Sequence, residues 1–592
     1  MMEGSQRYTA VEVEDSEFYA PDGEPLRPHC WASLDLLTGR RQSRWTGDGP
    51  TPSPDPPGAR PLRIAHQVQA EAGHRLAVGW SMGAFIDTHV ELRVLANGVG
   101  LVAGDGLLGA RVLFGLPPGD AAEKDAGRAL AMRPEVPLAD RPALQKYNQG
   151  DVALLAELAE RMWPLIDIPA AIFRGQYQTV VAGMERRGIP LDVERVNLWS
   201  THWSGIQDRL VAQIEQIAQS GIFVGGTWSH EGLNAFVMKW EAATGQRWPR
   251  SGKSRVPLTT EEVLRELTQL DPRLAPVQQM FSLRRQARGL GKLALGNDGR
   301  NRFWIDALKQ KTGRDSVYGD SILGYPKYQR GLIQPRPGRA IAVLDFKNQE
   351  PAIAAALSRD NELMAICTTD DPYIALAKKF RLVPATATKK SHPLERKQCK
   401  TVLLGLNYGM QSRRLALTLR CSESHAARLI RQHKDLFGGF WRWSWLVQDT
   451  AVRQRKISTK LGFTMRITPS TKLLALLDWP MQAGGAELTR VACCFAAARG
   501  VEILASHHDS MIVESDSTTI DDVARAATQA MIDAGHELFD FPFKVDTVIV
   551  RHPDRYLPDD AGQMWDRVET IVADLLGHPR QFRGVEVPKI SS

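Results

Sequence analysis

The chain has 592 residues, of which 43% are hydrophobic and 24% are charged, so it can bury several cores and is not intrinsically disordered. Its six cysteines form no CxxC motif, the N-terminal segment lacks a signal peptide, and no uncharged run reaches the ~20 apolar residues of a membrane span. These features exclude a disulfide-rich secreted protein and a membrane protein. We expect a reduced, cytoplasmic chain whose net charge of +7 suits a polyanionic partner.

The N-terminal part of the chain is predicted to form an α/β unit. Residues 8–45 alternate polar and apolar side chains as strands do, and strand-like and helical patterns alternate from there to Ile168. The segment 47–61 is rich in proline and glycine, which predicts a long surface loop inside this unit. From Phe173 to about Leu290 the pattern is mainly helical.

The second half of the chain predicts one sheet built from distant segments. Residues 340–344 form an apolar strand-like run, 501–515 predict a strand, a turn and a strand, and 544–550 predict another strand. Residues 360–470 lie between them, look helical and carry much of the basic charge. Strands about 160 residues apart would therefore share a sheet that encloses a helical insertion.

Two aspartates end strands of this predicted sheet. Asp345 closes the run AVLD, and Asp509 lies at the tip of the hairpin pattern SHHDSM. Nucleotidyl transfer needs two divalent metal ions about 3.5–4 Å apart, held by carboxylates on a rigid support. If the two strands are neighbours, both carboxylates reach the same pair of metal ions.

A basic helix is predicted between the two aspartates. In the segment ERKQCKTVLLGLNYGM, the side chains of Arg396, Lys400, Leu404 and Tyr408 recur every four residues, so they share one helix face. Two cations one turn apart on that face can bind the oxygens of a triphosphate.

Together these segments resemble motifs A, B and C of the family A DNA polymerases, which include bacterial DNA polymerase I, and the resemblance covers roughly residues 170–555. It implies that Asp345 and Asp509 bind the metal ions and that Glu350 tests the sugar 2′ position. It also implies that Arg396 and Lys400 bind the triphosphate, with Lys400 as the general acid. Further nucleotide contacts are implied for Leu404, Tyr408 and His508.

Two more segments fit the same family. KTGRDS resembles its T-G-R motif, which implies that Arg314 contacts the primer end. DWPMQAGGAEL resembles the helix whose glutamine, here Gln482, reaches the DNA minor groove. The chain departs from the family where Leu404 replaces Phe or Tyr, Ser510 replaces the third carboxylate of motif C, and Asp478 replaces Asn. We expect polymerase activity to survive the replacement at Ser510, whereas Leu404 bears on sugar discrimination at the 3′ position and Asp478 on template contact.

A second active site is predicted in the N-terminal unit. Asp15 and Glu17 lie on one face of a strand and can share a metal ion, while Tyr147 and Asp151 lie on one face of a helix. The set resembles the four-carboxylate 3′–5′ exonuclease of the same family, which uses two metal ions. In that site Tyr147 would orient the attacking water.

The fourth carboxylate of this exonuclease site has two candidates. Asp87, in GAFIDTHVELR, is preferred, and Glu91 is the alternative because the asparagine expected just upstream of Asp87 is missing. The predicted exonuclease metal ligands are therefore Asp15, Glu17, Asp87 and Asp151. Each active site is expected to hold two Mg²⁺ ions, with Mn²⁺ as a substitute.

The resemblance implies a ribonuclease H-like α/β exonuclease domain followed by a right-hand polymerase with an antiparallel palm sheet and helical fingers and thumb. The expected domains are the exonuclease (1–168), the opening of the polymerase region with the thumb (169–310), the first palm segment (311–358), the fingers (359–470) and the second palm segment with a C-terminal tail (471–592). The expected partners are primer–template DNA and dNTPs, with no membrane, and the chain is expected to be a monomer.

Two other functions stay open from the sequence. A single-subunit RNA polymerase shares the two aspartates and the basic helix, but Glu350 and the exonuclease motifs favour DNA synthesis. A DNA-binding replication protein could keep the exonuclease and have a decayed polymerase site, but the intact metal and triphosphate residues argue against decay. The motifs are most similar to phage versions, so we predict a phage or prophage replicative enzyme in the host cytoplasm. Leu404 and Ser510 are candidates for an altered choice between natural and modified dNTPs.

Overall fold

The computed structural model of the protein describes residues 8–252, 254–286 and 290–577. The end of the predicted C-terminal tail, residues 578–592, lies outside the described residues. Within the described ranges, no helix has both the length and the apolar character that crossing a membrane requires. All six cysteines are free thiols.

The N-terminal unit is a five-stranded sheet with helices packed on it. The strand order is β3-β2-β1-β4-β5, in which β1 is antiparallel to β2 and parallel to β4. The strands are β1 (Val11–Tyr19), β2 (Arg27–Asp35), β3 (Arg41–Trp45), β4 (Leu62–Ala65) and β5 (Ala84–Asp87). The helices are α1 (Val68–Val78), α2 (Thr88–Ala96), α3 (Leu107–Leu113), α4 (Ala121–Ala131) and α5 (Arg141–Met162). The predicted α/β unit is confirmed.

The central strand β1 is buried on both faces, and its alternation sorts the side chains between them. Val11 and Val13 belong to the core that the residues of α5 complete. Glu14 points to the opposite face, where its carboxylate binds Arg75 of α1 at 2.5 Å. Since side chains two residues apart in a strand share a face, Asp15 and Glu17 point towards α5, as Val11 and Val13 do.

The proline-rich segment 47–61 is a loop without helix or strand, as predicted. Its anchor is Asp55, whose carboxylate binds the buried guanidinium groups of Arg63 at 2.5 Å and Arg75 at 3.4 Å. Removing one partner of such a buried pair leaves an uncompensated charge, so this contact holds the loop against the sheet.

Helix α6 (Ile168–Arg187) connects the two halves of the molecule. It packs against β5 and α1 of the N-terminal unit. It also packs against the strand Ile503–His507 and the helix Ala475–Ala498 of the second half, which is described below. The predicted boundary at residue 168 falls at the first residue of α6. Because α6 contacts both halves, that boundary stays a prediction.

Helices and short strands follow α6. The helices are α7 (Val193–Ala218), α8 (His230–Thr244), α9 (Glu261–Leu270) and α10 (Ala275–Arg285). The short strands are β6 (Ile189–Pro190), β7 (Phe223–Val224), β8 (Thr227–Trp228), β9 (Arg300–Asn301), β10 (Trp304–Asp306) and β11 (Ser316–Tyr318). Short 3-10 turns occur at Trp163–Leu165, Pro272–Leu274, Leu290–Lys292, Ile322–Gly324 and Lys327–Leu332.

The second sheet has four strands in the order β15-β16-β12-β17, all antiparallel. They are β12 (Arg339–Phe346), β15 (Ile503–His507), β16 (Ser510–Asp516) and β17 (Val545–Arg551). The run Ala340–Leu344 of β12 is buried throughout, as expected for a strand covered on both faces. The predicted sheet of distant segments is confirmed, with strand ends shifted by one or two residues.

A helical insertion separates β12 from β15, as the sequence predicted. Its helices are α11 (Gln349–Ser358), α12 (Asn361–Cys367), α13 (Pro372–Lys379), α14 (Pro393–Asn407), α15 (Ser412–Leu419), α16 (Glu423–Leu436), α17 (Gly438–Gln454) and α18 (Ala475–Ala498). A hairpin of β13 (Lys456–Ser458) and β14 (Thr464–Arg466) precedes α18. Helices α19 (Ile520–Phe539) and α20 (Gly562–Leu575) complete this half. One large core joins these elements with α7 to α10, whereas the first sheet has its own core.

A backbone contact ties the N-terminal unit to the β13–β14 hairpin. The amide of Arg466 donates to the carbonyl of Asn97 at 2.9 Å, and the Asn97 side chain donates to the carbonyl of Thr464 at 3.1 Å. Gly98 has a φ of +94°, and a Cβ at this position would overlap the Arg466 carbonyl. Glycine therefore allows the close approach that joins the two halves here.

Candidate active sites

A cavity of about 660 Å³ opens at the end of β12. The predicted polymerase residues that line it are Arg314, Asp345, Glu350, Arg396, Lys400, Leu404, His508 and Asp509. Asp345 ends β12, His508 and Asp509 form the turn between β15 and β16, Glu350 lies on α11, and Arg396, Lys400 and Leu404 lie on α14. Arg314 lies in the loop before β11. Tyr408 lies at the C-terminal end of α14 and Gln482 in α18, and both lie outside this lining.

The carboxylates of Asp345 and Asp509 face each other at one wall of the cavity. The Phe346 amide donates to the Asp509 carbonyl at 3.0 Å, which fixes the β15–β16 turn beside the end of β12. His508 has a φ of +57° in that two-residue turn, an unfavourable conformation for a residue with a side chain. The carbonyl of His508 accepts the hydroxyl of Thr489 at 3.1 Å.

Electrostatics at this wall favour a bound cation. Partial burial, and then the nearby carboxylate of Asp509, raise the pKa of Asp345 to about 7. Two carboxylates that face each other cannot both ionise without repulsion, and a divalent cation between them removes that repulsion.

Asp345 has a different neighbour on each side in the sheet. Ser510 of β16 pairs with it on one side, and Asp546 of β17 pairs with it on the other. The Ser510 hydroxyl donates to the His507 carbonyl at 2.9 Å, so it is already engaged. The Asp546 carboxylate lies 2.8 Å from the ammonium group of Lys347 and also lines the cavity. Sequence reasoning missed this carboxylate because it follows motif C by more than 30 residues.

The part of the cavity lining that α14 supplies is basic. Arg396 and Lys400 lie one turn apart on α14, and their cationic groups are 5.2 and 5.7 Å from the centre of the Tyr373 ring. Asp371 binds Arg396 at 2.5 Å and thereby orients it. Both Asp371 and Tyr373 were missed from the sequence. The Asp-Pro pair at 371–372 predicts a helix start, but nothing in its spacing links it to α14.

Two other polar contacts arrange the region around the cavity. Arg314 binds Glu350 at 2.6 Å, so the predicted primer contact and the predicted sugar contact touch each other. Gln482 donates to the Asp478 carboxylate at 3.0 Å. Burial raises the pKa of Asp478, and the negative charge of Glu350 raises it further.

A second acidic cluster lies between β1 and α5. Carboxylate oxygens of Asp15, Glu17 and Asp151 all lie within 4.8 Å of one another. The side-chain amide of Asn148 donates to Asp15 at 2.7 Å, and the Lys124 ammonium group lies 2.5 Å from Asp151. Burial and then the Asp151 carboxylate raise the pKa of Asp15 to about 7, and burial raises the pKa of Glu17 well above its ordinary value.

Tyr147 borders this acidic cluster, as predicted. It lies one turn before Asp151 on the same face of α5. Burial, and then the charge of Asp151, raise the pKa of Tyr147, so the phenol keeps its proton near neutral pH.

The two candidates for the fourth carboxylate do not join the cluster. Asp87 caps α2 by accepting the amides of His89 and Val90, and it also accepts two amides at the start of α1. Glu91 is fully engaged by Arg174 in two hydrogen bonds of 2.6 and 2.7 Å. The structure does not favour Asp87 as a metal ligand, because this carboxylate, which directly follows a strand, serves as a helix cap.

Glu71 of α1 is the carboxylate that sequence reasoning missed. It is 2% exposed, and its Oε2 is buried without a hydrogen-bond partner in the described part of the chain. Burial, and then the charge of Asp15, raise the pKa of Glu71 well above its ordinary value, which places it beside the cluster. One feature of the sequence could have identified Glu71: it is an acidic residue in the first turn of the helix that follows β4. Strand β4 is the parallel neighbour of β1, which carries Asp15.

The sequence profile of DNA polymerase family A matches residues 245–552, more than half of the chain. The chain belongs to DNA polymerase family A. Among curated proteins, this family A chain is 22% identical to the thermostable DNA polymerase I of Thermus aquaticus over 574 residues, covering 88% of this chain and 67% of that protein. It is also 22% identical to the Thermus caldophilus enzyme, covering 60% of this chain and 44% of that protein.

The family A chain therefore spans between 44% and 67% of the length of these two curated relatives. Among solved structures it is similar to the polymerase domain of Pol1 from M. smegmatis, determined in complex with DNA primer-template and dNTP. That similarity has a TM-score of 0.69 at 19% identity and covers 92% of this chain and 95% of the other. The right-hand polymerase fold predicted from the sequence is confirmed.

Both acidic clusters of this family A protein fit divalent metal ions. Every available donor is a carboxylate oxygen, the type of ligand that hard cations such as Mg²⁺ prefer. The buried Oε2 of Glu71 has no partner in the described part of the chain, and the pKa values of Asp15 and Asp345 are raised, so a bound cation would stabilise the ionised forms of these carboxyl groups.

Proposed function

We propose that this family A protein is a DNA-templated DNA polymerase that extends a primer with dNTPs and proofreads with a 3′–5′ exonuclease. The observation that carries the proposal is the cavity that Asp345, Asp509, Arg396 and Lys400 all line. Carboxylates for metal ions and cations for a triphosphate around one cavity are the arrangement that nucleotidyl transfer needs.

In the proposed polymerase reaction, primer–template DNA and a dNTP occupy this cavity. Arg396 and Lys400 bind the triphosphate, and Lys400 donates a proton to the departing pyrophosphate. Glu350, held by Arg314, limits the space at the sugar 2′ position. Mg²⁺ ions held by Asp345 and Asp509 would supply Lewis-acid activation of the primer 3′-hydroxyl and of the phosphate.

In the proposed exonuclease reaction, the frayed primer end reaches the cluster between β1 and α5. Asp15, Glu17 and Asp151 would hold Mg²⁺, and we assign Glu71 as the fourth carboxylate in place of Asp87. Tyr147, which lies one turn before Asp151 and keeps its proton, orients the attacking water.

The test is extension of a labelled primer–template with Mg²⁺, with and without dNTPs. The wild type is expected to extend with dNTPs and to shorten the primer without them. Asp345→Asn should lose extension by more than about 1000-fold and keep shortening, and Asp15→Asn should show the reverse. Glu262→Gln, at an exposed carboxylate of α9, is the matched control and should keep both activities.

The alternatives are outcomes of the same assay. Extension with ribonucleotides at a comparable rate would support a single-subunit RNA polymerase. Primer shortening without any extension would support a replication protein with a decayed polymerase site. A phage or prophage origin, an altered preference among dNTPs and a monomeric state stay predictions.

A further inference from the structure

A lysine reaches into the exonuclease cluster from a separate helix. Lys124 lies on α4, and its Nζ is 2.5 Å from Oδ2 of Asp151 and 5.4 Å from the centre of the Tyr147 ring. Its side chain is 24% exposed, whereas that of Asp151 is 5% exposed. The ammonium group therefore stands between the buried carboxylates and solvent.

The position of α4 is set by close packing against α5. Gly127 lies one turn after Lys124, and a Cβ at Gly127 would overlap the Tyr147 ring. The absence of a side chain at Gly127 lets α4 approach α5, which brings Lys124 to the cluster. Asp120 caps the start of α4 by accepting two backbone amides. The helix that carries Lys124 is therefore held at its N-terminal cap and at Gly127.

Lys124 supplies positive charge to several members of the cluster at once. It lowers the pKa of both Asp15 and Glu17 against the larger effect of burial. Asn148 faces Asp15 as a neutral amide and Tyr147 faces Asp151 as a protonated phenol, so neither balances the carboxylates. Lys124 is thus the cation through which the described residues balance this site.

Asp151 would hold a metal ion only if its carboxylate gave up the contact with Lys124. The ammonium group would then stay tethered to α4 on the solvent side of the cluster, since Lys124 is the more exposed partner. The nearest anion at that point is the phosphate that is to be hydrolysed.

We propose that Lys124 is a catalytic residue of the exonuclease, which exchanges the Asp151 carboxylate for a non-bridging oxygen of the scissile phosphate. The inference rests on the proposed exonuclease function. Water adds to phosphorus, the P–O3′ bond breaks, one water proton is released to solvent and one proton is taken up by O3′. Lys124 neutralises the phosphate and transfers no proton.

The first measurement is Mn²⁺ binding to the DNA-free protein, followed by electron paramagnetic resonance. All variants carry Asp345→Asn, which weakens the polymerase metal site. Lys124→Ala should bind Mn²⁺ at least about threefold more tightly than its parent, because the competing ammonium group is gone. Lys146→Ala, at an exposed lysine of α5, is the matched control and should not change the affinity. Unchanged or weaker Mn²⁺ binding by Lys124→Ala overturns the exchange.

The second measurement is single-turnover hydrolysis of a single-stranded oligonucleotide at saturating Mg²⁺. Lys124→Ala should be slower by about tenfold or more, in line with the loss of one donor to a developing oxyanion, and Lys124→Arg should keep most of the rate. A rate for Lys124→Ala equal to that of the wild type overturns the phosphate contact. Primer extension by Lys124→Ala, with Asp345 intact, should match the wild type and shows that the variant folds.

The two levels of the proposal fail in different ways. If the wild type hydrolyses DNA and Lys124→Ala hydrolyses it equally well, only the role of Lys124 is wrong. If the wild type and Asp15→Asn are both inactive, the exonuclease proposal is wrong and the role of Lys124 falls with it.

Discussion

The two acidic clusters of the protein balance their charge in different ways. In the N-terminal unit, Lys124 touches Asp151 directly, and Asp15 and Glu17 lie half-buried beside them. At the end of β12, Asp345 and Asp509 line a wide cavity that the cations of α14 also line.

The two clusters therefore differ in how close the nearest cation lies to the carboxylates. A site with its own internal cation can hold its carboxylates close together before any ligand binds. A site whose cations line another part of a cavity leaves room for a ligand that carries negative charge of its own, such as a triphosphate. The predictions below test this contrast, from the largest expected effect to the smallest.

The strongest test of the N-terminal cluster is Glu71→Gln. If Glu71 is the fourth carboxylate, this change should slow exonuclease hydrolysis by about 100-fold or more and leave primer extension unchanged. Rates on a single-stranded oligonucleotide with Mg²⁺ measure the effect. Hydrolysis at the wild-type rate would remove Glu71 from the site.

Asp87→Ala is the counterpart of that variant. Because Asp87 caps α2 and accepts further amides of α1, we expect a loss of about 1–2 kcal/mol of stability, seen in thermal unfolding. The folded fraction should keep its exonuclease activity. A variant that stays fully stable and loses hydrolysis would restore Asp87 as a metal ligand.

The basic part of the cavity lining is tested by Lys400→Ala against Lys397→Ala. Both lysines are exposed on α14, but only Lys400 lines the cavity. We expect Lys400→Ala to lower kcat/KM for dNTP by about 100-fold, since the triphosphate loses a charge-assisted contact and a proton donor. Lys397→Ala should change it by less than about twofold. Equal effects of the two substitutions would contradict the assignment.

The raised pKa values predict how stability without metal depends on pH. Asp15 and Asp345 have pKa values of about 7 in the folded chain against 3.8 in the unfolded chain, so folding favours their protonated forms. Their contribution to stability is fully present below about pH 4 and is lost as the pH rises through 7. In EDTA, the Tm should therefore fall between pH 5 and pH 8.

Two controls sharpen the pH experiment. The double variant Asp15→Asn with Asp345→Asn should show a flatter decline of Tm, because neither amide titrates. Mg²⁺ should raise the Tm of the wild type more at pH 8 than at pH 5, since only ionised carboxylates bind it. An identical slope in the wild type and the double variant would show that other groups set the decline.

The smallest effect is expected for Asp546→Asn. The Asp546 carboxylate is one of the charges that raise the pKa of Asp345. Removing it should move the acidic limb of the polymerase pH–rate profile to lower pH, with only a modest change in kcat. Exposure of Asp546 and its pairing with Lys347 keep the effect small. A loss of activity similar to that of Asp345→Asn would instead make Asp546 an essential ligand.

The main residues predicted for the polymerase site each carry a local signal in the sequence. Asp345 ends a buried apolar strand, Asp509 occupies a hairpin tip, and the residues of α14 recur with the helix period. The structure brings all of them to one cavity. What the sequence did not reveal are contacts between distant segments, such as Tyr373 beneath Arg396 and Asp546 beside Asp345.

The exonuclease site shows the limit of local signals. Asp15 and Glu17 follow from strand parity, and Asp151 follows from helix spacing. Glu71 lies inside a helix that begins after Gln67, whose φ of +84° is left-handed and unexpected for glutamine. Asp87 follows a strand just as Asp345 does, and only its hydrogen bonds to backbone amides show that it caps a helix instead.

The central place of β12 in its sheet has a consequence for how the protein is made. Once residue 151 has been synthesised, the nascent chain contains three carboxylates of the N-terminal acidic cluster together with Lys124. The strand that carries Asp345 stays without either neighbour until β16 and then β17, which ends at Arg551, have been synthesised. A nascent or prematurely terminated chain can thus assemble the proposed exonuclease site before it can assemble the proposed polymerase site.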